Sequence, residues 1–176
     1  MTDDPTASAP TAADRPRIPR DNGVPSNSKD LVPWSRVAAR LTEAKVYWVA
    51  TAGPGGQPRV RPVDGMYVDG MIYVGGSLET RWARDLISNP RVAVHLNDGH
   101  DVVIVEGEAE LLEQGVDPAT AERLAAASNA KYPEYGVKAS DYAGPGPFAI
   151  RPHVAFAWSS FPKDVTRFRF SDPPPD

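Results

Sequence analysis

The 176-residue sequence predicts a mainly β fold with a few short helices, closed or partly closed into an antiparallel barrel. Three observations carry this expectation. From Lys45 onward, apolar residues recur with a period of two in about seven separate runs rich in strand formers. Two of those runs flank Asp69-Gly70, a strong short-range hairpin signal. The helical patterns between runs are too few to cover both faces of a parallel sheet.

Residues 1–29 are rich in Pro, Ala, Ser, Thr and Asp and show no apolar period. Such a segment buries too little to offset its ordering entropy, so a disordered or loosely wrapped tail is expected. The domain itself is expected over 30–170, with a loose C-terminal tail over 171–176. A first helix starts near Pro33, a residue suited to an opening turn, and presents Trp34, Val37, Ala38 and Leu41 as its buried stripe.

Val46 to Thr51 reads as a strand, Gly53-Pro54-Gly55-Gly56 as a turn, and Val60 to Val63 as a second strand. Pro62 cannot donate to a ladder, which assigns that strand to an edge or a bulge. Met66-Tyr67-Val68 and Met71 to Val74 form the hairpin. A Gly75-Gly76-Ser77 break follows, then a helix from about Thr80 to Ser88, an Asn89-Pro90 stop and a strand from Arg91 to Leu96.

Val103, Val105, Gly107, Ala109 and Leu111 alternate with Glu106, Glu108 and Glu110, giving one inner face and one acidic, solvated face. Asp117-Pro118 opens another helix, to about Ala130, in the N-cap and N1 pattern. A loop from Tyr132 to Pro147 leads to a long strand. There Phe148, Ile150, Pro152, Val154, Phe156 and Trp158 are expected to share one face. A last strand runs from Val165 to Phe170, with Phe168 and Phe170 expected in the core. No internal repeat is present.

Composition excludes several functions. A net charge of -4 argues against a nucleic-acid-coating surface. The absence of cysteine excludes disulfide and thiolate chemistry, and with no long apolar run and no apolar signal core the expectation is a soluble, cytoplasmic protein without membrane partners. His95, His100 and His153 show no metal-ligand spacing, so no metal site is expected. No Ser–His–Asp arrangement is legible.

The most chemistry-laden stretch is Met71 to Leu96. A glycine pair allows close backbone approach to a ligand, and a helix start behind it offers free N–H groups and a positive dipole end. Ser77, Thr80 and Arg81 add two hydroxyls and a guanidinium, together a candidate phosphate seat. Ser77 and Thr80 also read as plain N-caps. Arg59 and Arg61, two apart, share one sheet face and serve either an anion cleft or a surface ion pair. The Tyr132-Pro133-Glu134-Tyr135 loop reads equally as a pocket cover and as a surface connection.

In order and spacing, Tyr47-Trp48-Val49-Ala50-Thr51, Arg59-Val60-Arg61-Pro62-Val63, the Ser77 to Arg91 segment running into Val92-Ala93-Val94, Val105-Glu106-Gly107-Glu108-Ala109 and Thr166-Arg167-Phe168-Arg169-Phe170 resemble the pyridoxamine 5'-phosphate oxidase-like family. This is the FMN-binding split-barrel superfamily, and the likeness extends to an actinobacterial branch with deazaflavin-dependent reductases. It covers roughly Val32 to Phe170. The resemblance implies a Greek-key-like split barrel, a homodimer, and FMN or the deazaflavin coenzyme held in clefts between subunits. It places the phosphate at Ser77, Thr80 and Arg81. Arg61, Pro62 and Val63 would lie along the cofactor, Val49, Ala50 and Thr51 beside its ring, and Trp158 and Arg167 would reach it from the partner chain.

The implied activity is an oxidoreductase moving hydride between the cofactor and a small conjugated or heteroaromatic substrate, with no catalytic acid or base named. A non-catalytic flavin or haem binder or sensor is the alternative. Three departures bear on the cofactor. Trp82 and Asp85 stand where relatives commonly carry Lys and Asn, and Asp64 where they often carry an aromatic residue. The acidic tail of a deazaflavin would gain from Arg15, Arg17 or Arg20. The ending of the chain does not clearly reproduce the pattern of a true pyridoxamine phosphate oxidase.

Overall fold

The computed structural model describes residues 9–171. Nine strands are present among them: β1 (Ala12–Asp14), β2 (Tyr47–Ala52), β3 (Pro58–Val63), β4 (Gly65–Val68), β5 (Met71–Val74), β6 (Arg91–His95), β7 (Val102–Leu111), β8 (Phe148–Trp158) and β9 (Thr166–Arg169). Three α-helices accompany them: α1 (Trp34–Glu43), α2 (Arg81–Ser88) and α3 (Pro118–Lys131). All pairings are antiparallel, in the order β1-β9-β8-β7-β6-β2-β3, with β5 added to β8 and β4 to β5. The mainly β split barrel expected from the sequence is what the chain adopts.

The split originates in β8, the longest strand. Along the edge opposite β7, its start pairs with β5 (Val74↔Phe148, Ile72↔Ile150) and its end with β9 (Val154↔Arg169, Ala157↔Thr166). Between the two stretches His153 is an extra residue: Glu106 faces Val154 while Gly107 faces Pro152. Pro152 has no N–H to place at this fork. A Cβ on Gly107 would lie 2.0 Å from the Arg151 carbonyl oxygen, so only glycine allows the strands to meet there.

This bulge overturns the expectation that the even residues of β8 share one face. Phe148 and Ile150 lie in the core, but beyond His153 the inward positions are Ala155 and Ala157. Phe156 and Trp158 lie on the opposite, outer face of the sheet, only partly buried. One inserted residue reverses the alternation of everything after it.

Two cores result. The larger lies between the sheet and α1 and α2, around Tyr47, Val49, Ile72, Leu86, Phe148 and Phe168. Trp34 packs edge-on against Phe168 and Phe170, at ring separations of 5.0 and 5.2 Å. The smaller seats α3 on the β4–β5 hairpin through Met66, Val68, Tyr73, Leu124, Tyr132 and Tyr142. The hairpin turn has Asp69 at φ 51° and Gly70 at φ 76°, the left-handed pair that the Asp-Gly sequence favours. Asp117 caps α3, its carboxylate accepting from the Thr120 N–H at 3.0 Å.

The N-terminal segment differs from the expected loose tail. Ala12–Asp14 pair with β9, and Asp14 receives a bidentate bond from Arg167 at 2.8 and 2.9 Å and an ion pair from Arg169 at 3.1 Å. Arg15 donates to the carbonyls of Asn27 and Val165. Backbone pairing and forked arginine contacts hold this strand, neither of which needs an apolar period. Residues 1–8 and 172–176 lie outside the described residues, and so does most of the expected C-terminal tail.

Candidate functional site

The break after β5 leads into α2 through a turn built from its own hydroxyls. Ser77 Oγ accepts from the Glu79 N–H (3.2 Å), and Thr80 Oγ1 donates to the Ser77 carbonyl (2.8 Å). Thr80 occupies the N-cap position of α2, yet no side chain caps the helix. The capping interpretation of Ser77 and Thr80 is therefore not realised. The opening N–H groups of α2 keep their positive dipole end directed outward. Gly75 faces open space.

Helix α2 runs back along β2. Near its C-terminal end Asn89 Nδ2 donates to the Ala52 carbonyl (3.3 Å), and one turn earlier Asp85 meets Thr51 (3.2 Å) and Arg59 (2.7 Å). The next turn toward the N-terminus brings Arg81, on the same helix face as Asp85. Val49 is paired with Arg61 in the β2–β3 ladder, so the opening turn of α2 is directed toward the Arg61 end of β3. Among the described residues, Arg61 and Arg81 have no carboxylate within 4.0 Å. Both are exposed, and among the described residues the Arg61 guanidinium donates only to the carbonyl of Val60 (2.7 Å). The glycine doublet, the open helix N–H groups and Arg81 follow one another in the chain, and Arg61 lies toward the same end of the β2–β3 ladder, a donor set suited to a phosphate. The exposed Glu79 in the same turn opposes it.

Two departures from relatives take on physical meaning here. Trp82 points inward, packs against Phe148 at 5.7 Å between rings, and lies over Gly76, whose added Cβ would come within 3.0 Å of its ring. It is a core residue and offers no cation. Asp85 is buried, at 4% exposure, and its carboxylate is engaged by Arg59 and Thr51. That pair ties the β2–β3 hairpin to α2 and takes the Arg59 charge out of use.

The other predicted residues are distributed as follows. Val49 and Thr51 face the core, and β2 is flanked by β3 and β6, so its backbone groups are committed to ladders. In β3, an edge strand, Pro62 is exposed and Val63 half-buried against the large core. Ala50 and Trp158 lie on the outer sheet face, and Arg167 is held by Asp14. Ser77–Arg81 thus stand together at the start of α2, and Arg61–Val63 on the edge strand β3.

Beyond the glycine doublet the corner opens into a cleft of about 400 Å³. Its walls include Leu78, Tyr132, Tyr135 and Tyr142, and its carboxylates are Asp64 and Asp141. The Tyr132 and Tyr135 rings stack at 5.4 Å, and the Tyr135 hydroxyl donates to Asp64 at 2.6 Å, which raises its phenol pKa. Of the two readings of the Tyr132–Tyr135 loop, the pocket wall is the one realised.

Behind Tyr132 lies a polar cluster that the sequence does not signal. Lys131, 8% exposed, donates to the Tyr47 hydroxyl (2.9 Å) and the Gly65 carbonyl (3.1 Å), and its ammonium sits over the Tyr47 ring. Tyr47 donates in turn to the Leu41 carbonyl, and Tyr132 to that of Lys45 at 2.7 Å. With no carboxylate beside it, burial lowers the Lys131 pKa to about 8. Among the described residues no group of three or more His, Cys, Asp or Glu side chains is placed to hold a metal ion.

A split antiparallel barrel whose two sections share the long strand β8 defines the architectural class of this domain. The chain belongs to the pyridoxamine 5'-phosphate oxidase family, whose model matches residues 34–159. No curated protein sequence matches it. Solved structures share the fold. A FAD-binding protein from Mesorhizobium loti is 20% identical, with a TM-score of 0.55, over 78% of this chain and 93% of its own. A conserved hypothetical protein from Mycobacterium tuberculosis is 22% identical, TM-score 0.55, over 72% and 84%. A NimC/NimA family protein from Clostridium acetobutylicum is 20% identical, TM-score 0.54, over 76% and 90%.

Proposed function

We propose that this protein is a flavin- or deazaflavin-dependent oxidoreductase acting on a small conjugated or heteroaromatic substrate. The observation that carries the reading is the pairing of two uncommitted guanidiniums, Arg61 and Arg81, with the uncapped start of α2. Those groups fit an anionic cofactor headgroup. When bound, FMN or a deazaflavin supplies the hydride chemistry itself. The chain contributes orientation along the open edge of β3 and a cleft beside it with room for a substrate. FMN suits the corner better than a deazaflavin with an acidic tail, because Arg15 is committed to backbone carbonyls and the adjoining cleft is acidic. The membership of the family and the FAD-binding neighbour from Mesorhizobium loti support the flavin class.

The same reading makes the protein a homodimer with cofactors at the subunit seam. Register places Val60 beside Ala50 and Ile104 beside Phe156 on the outer sheet face, with His95 stacked on Trp48 between the two pairs of strands; each of the apolar residues is only partly buried or, for Val60, exposed. An aromatic and aliphatic face of this kind, interrupted by His95 and Glu106, is where a partner would dock. A second reading, a non-catalytic flavin binder, is favoured by one observation: Trp82 and the Arg59–Asp85 pair remove cations from the corner.

Absorption and calorimetric titrations of the full chain with FMN and with deazaflavin test the cofactor. Micromolar or tighter binding that Arg81→Ala weakens supports the reading, and no heat with either cofactor rejects it. Electron transfer from reduced cofactor to an added acceptor, faster with protein than without, separates enzyme from binder.

A further inference from the structure

We propose that the cleft between Gly75-Gly76 and the Tyr132–Pro147 loop is a binding site for a planar cationic organic ligand, with Asp64 as its counter-charge and Tyr135 as its stacking surface. As a substrate subsite this rests on the flavin reading above. As a binding site it stands on the cleft alone.

Four features point to that ligand. The cleft has room for a bicyclic ring, at about 400 Å³. The side chains in its walls that carry a charge at neutral pH, Asp64 and Asp141, are both acidic, and among the described residues no arginine or lysine lines it. Tyr135 stacks one face on Tyr132 and remains 55% exposed, leaving aromatic surface for a guest. A cation over a tyrosine face is attracted by the ring quadrupole, and most strongly where water is thinned out.

Asp64 supplies the specificity. It accepts the Tyr135 hydroxyl at 2.6 Å, which fixes the ring relative to the carboxylate, and no arginine or lysine among the described residues lies within 4.0 Å of it. Its charge is therefore directed at whatever enters. An anionic guest would meet two carboxylates, so the cleft discriminates by sign as well as by shape.

Calorimetric titration of the full chain with N-methylquinolinium and with quinoline-6-carboxylate, two rings of similar size and opposite charge, tests the proposal. The cation is expected to bind at least about tenfold more tightly, a difference of about 1.4 kcal/mol. Asp64→Asn, a change at an exposed position that keeps an acceptor for Tyr135, is expected to bring the two ligands within about threefold, the difference the charge alone makes. Equal binding, tighter binding of the carboxylate, no binding of N-methylquinolinium, or a preference untouched by Asp64→Asn overturns the proposal. If FMN fails to bind while the Asp64-dependent preference for the cation is found, the site stands and only the flavin reading falls.

Discussion

Asp85 and Asp64 are both carboxylates, yet they act in opposite ways. Asp85 is buried and saturated by Arg59 and Thr51, so its charge is cancelled and its effect is mechanical: it fastens the β2–β3 hairpin to α2. Asp64 is exposed at the mouth of a cleft with only a phenol beside it, so its charge remains available to a ligand. A carboxylate's contribution is set by what surrounds it. Arg61 and Arg81 keep their charges at the surface, and the cleft beyond Gly75-Gly76 is lined by carboxylates.

The sharpest way to break the contrast is at Asp85. Asp85→Ala leaves the mostly buried Arg59 guanidinium without its counter-charge, and a loss of about 3–5 kcal/mol in urea unfolding is expected. The double change Arg59→Met with Asp85→Leu is expected to recover most of it. A smaller effect is expected at Lys131. The folded protein holds that proton less tightly than the unfolded chain, at about 8 against an ordinary 10.5. Stability is therefore expected to rise with pH from about 8, by on the order of 2 kcal/mol up to about pH 10. Above that the buried Tyr47 phenol, whose proton is held more tightly in the folded state, reverses the trend. Lys131→Met should flatten the rise.

The next effects concern ligand rather than stability. Arg81→Ala is expected to weaken FMN about tenfold or more, the loss of one charge-assisted contact, while leaving the unfolding midpoint within about 0.5 kcal/mol. Asp85→Asn keeps a hydrogen bond to Arg59 but restores its unbalanced charge, and FMN binding at low salt is expected to tighten a few-fold, an increment that salt screens. The smallest effect is expected at the exposed Arg123–Asp69 pair, where Arg123→Ala should cost no more than about 1 kcal/mol.

Local chemistry made much of this legible in the sequence. Asp69-Gly70, Asp117-Pro118, the alternating Val103–Leu111 strand and the glycine break before α2 each state their structure within a few residues. What was not legible depends on distant partners. Arg59 and Asp85 are 26 positions apart and meet only when α2 folds back along β2. Ala12–Asp14 carry no apolar signal, and their order comes from β9. Lys131 reads as an ordinary charge at a helix end until Tyr47 and Gly65 close around it. The phase of β8 depends on Gly107 across the ladder, so alternation read along β8 alone could not anticipate its reversal.

His153 makes the length of β8 a parity constraint. Removing that residue would swing Phe156 and Trp158 inward, onto positions that now admit only alanine, while stripping the exterior of its aromatic surface. Lineages descended from this chain should accept insertions and deletions in the turns around β8 far more readily than a single-residue change of its length. Any copy that lost His153 would need small residues in place of both Phe156 and Trp158 to fit its interior again.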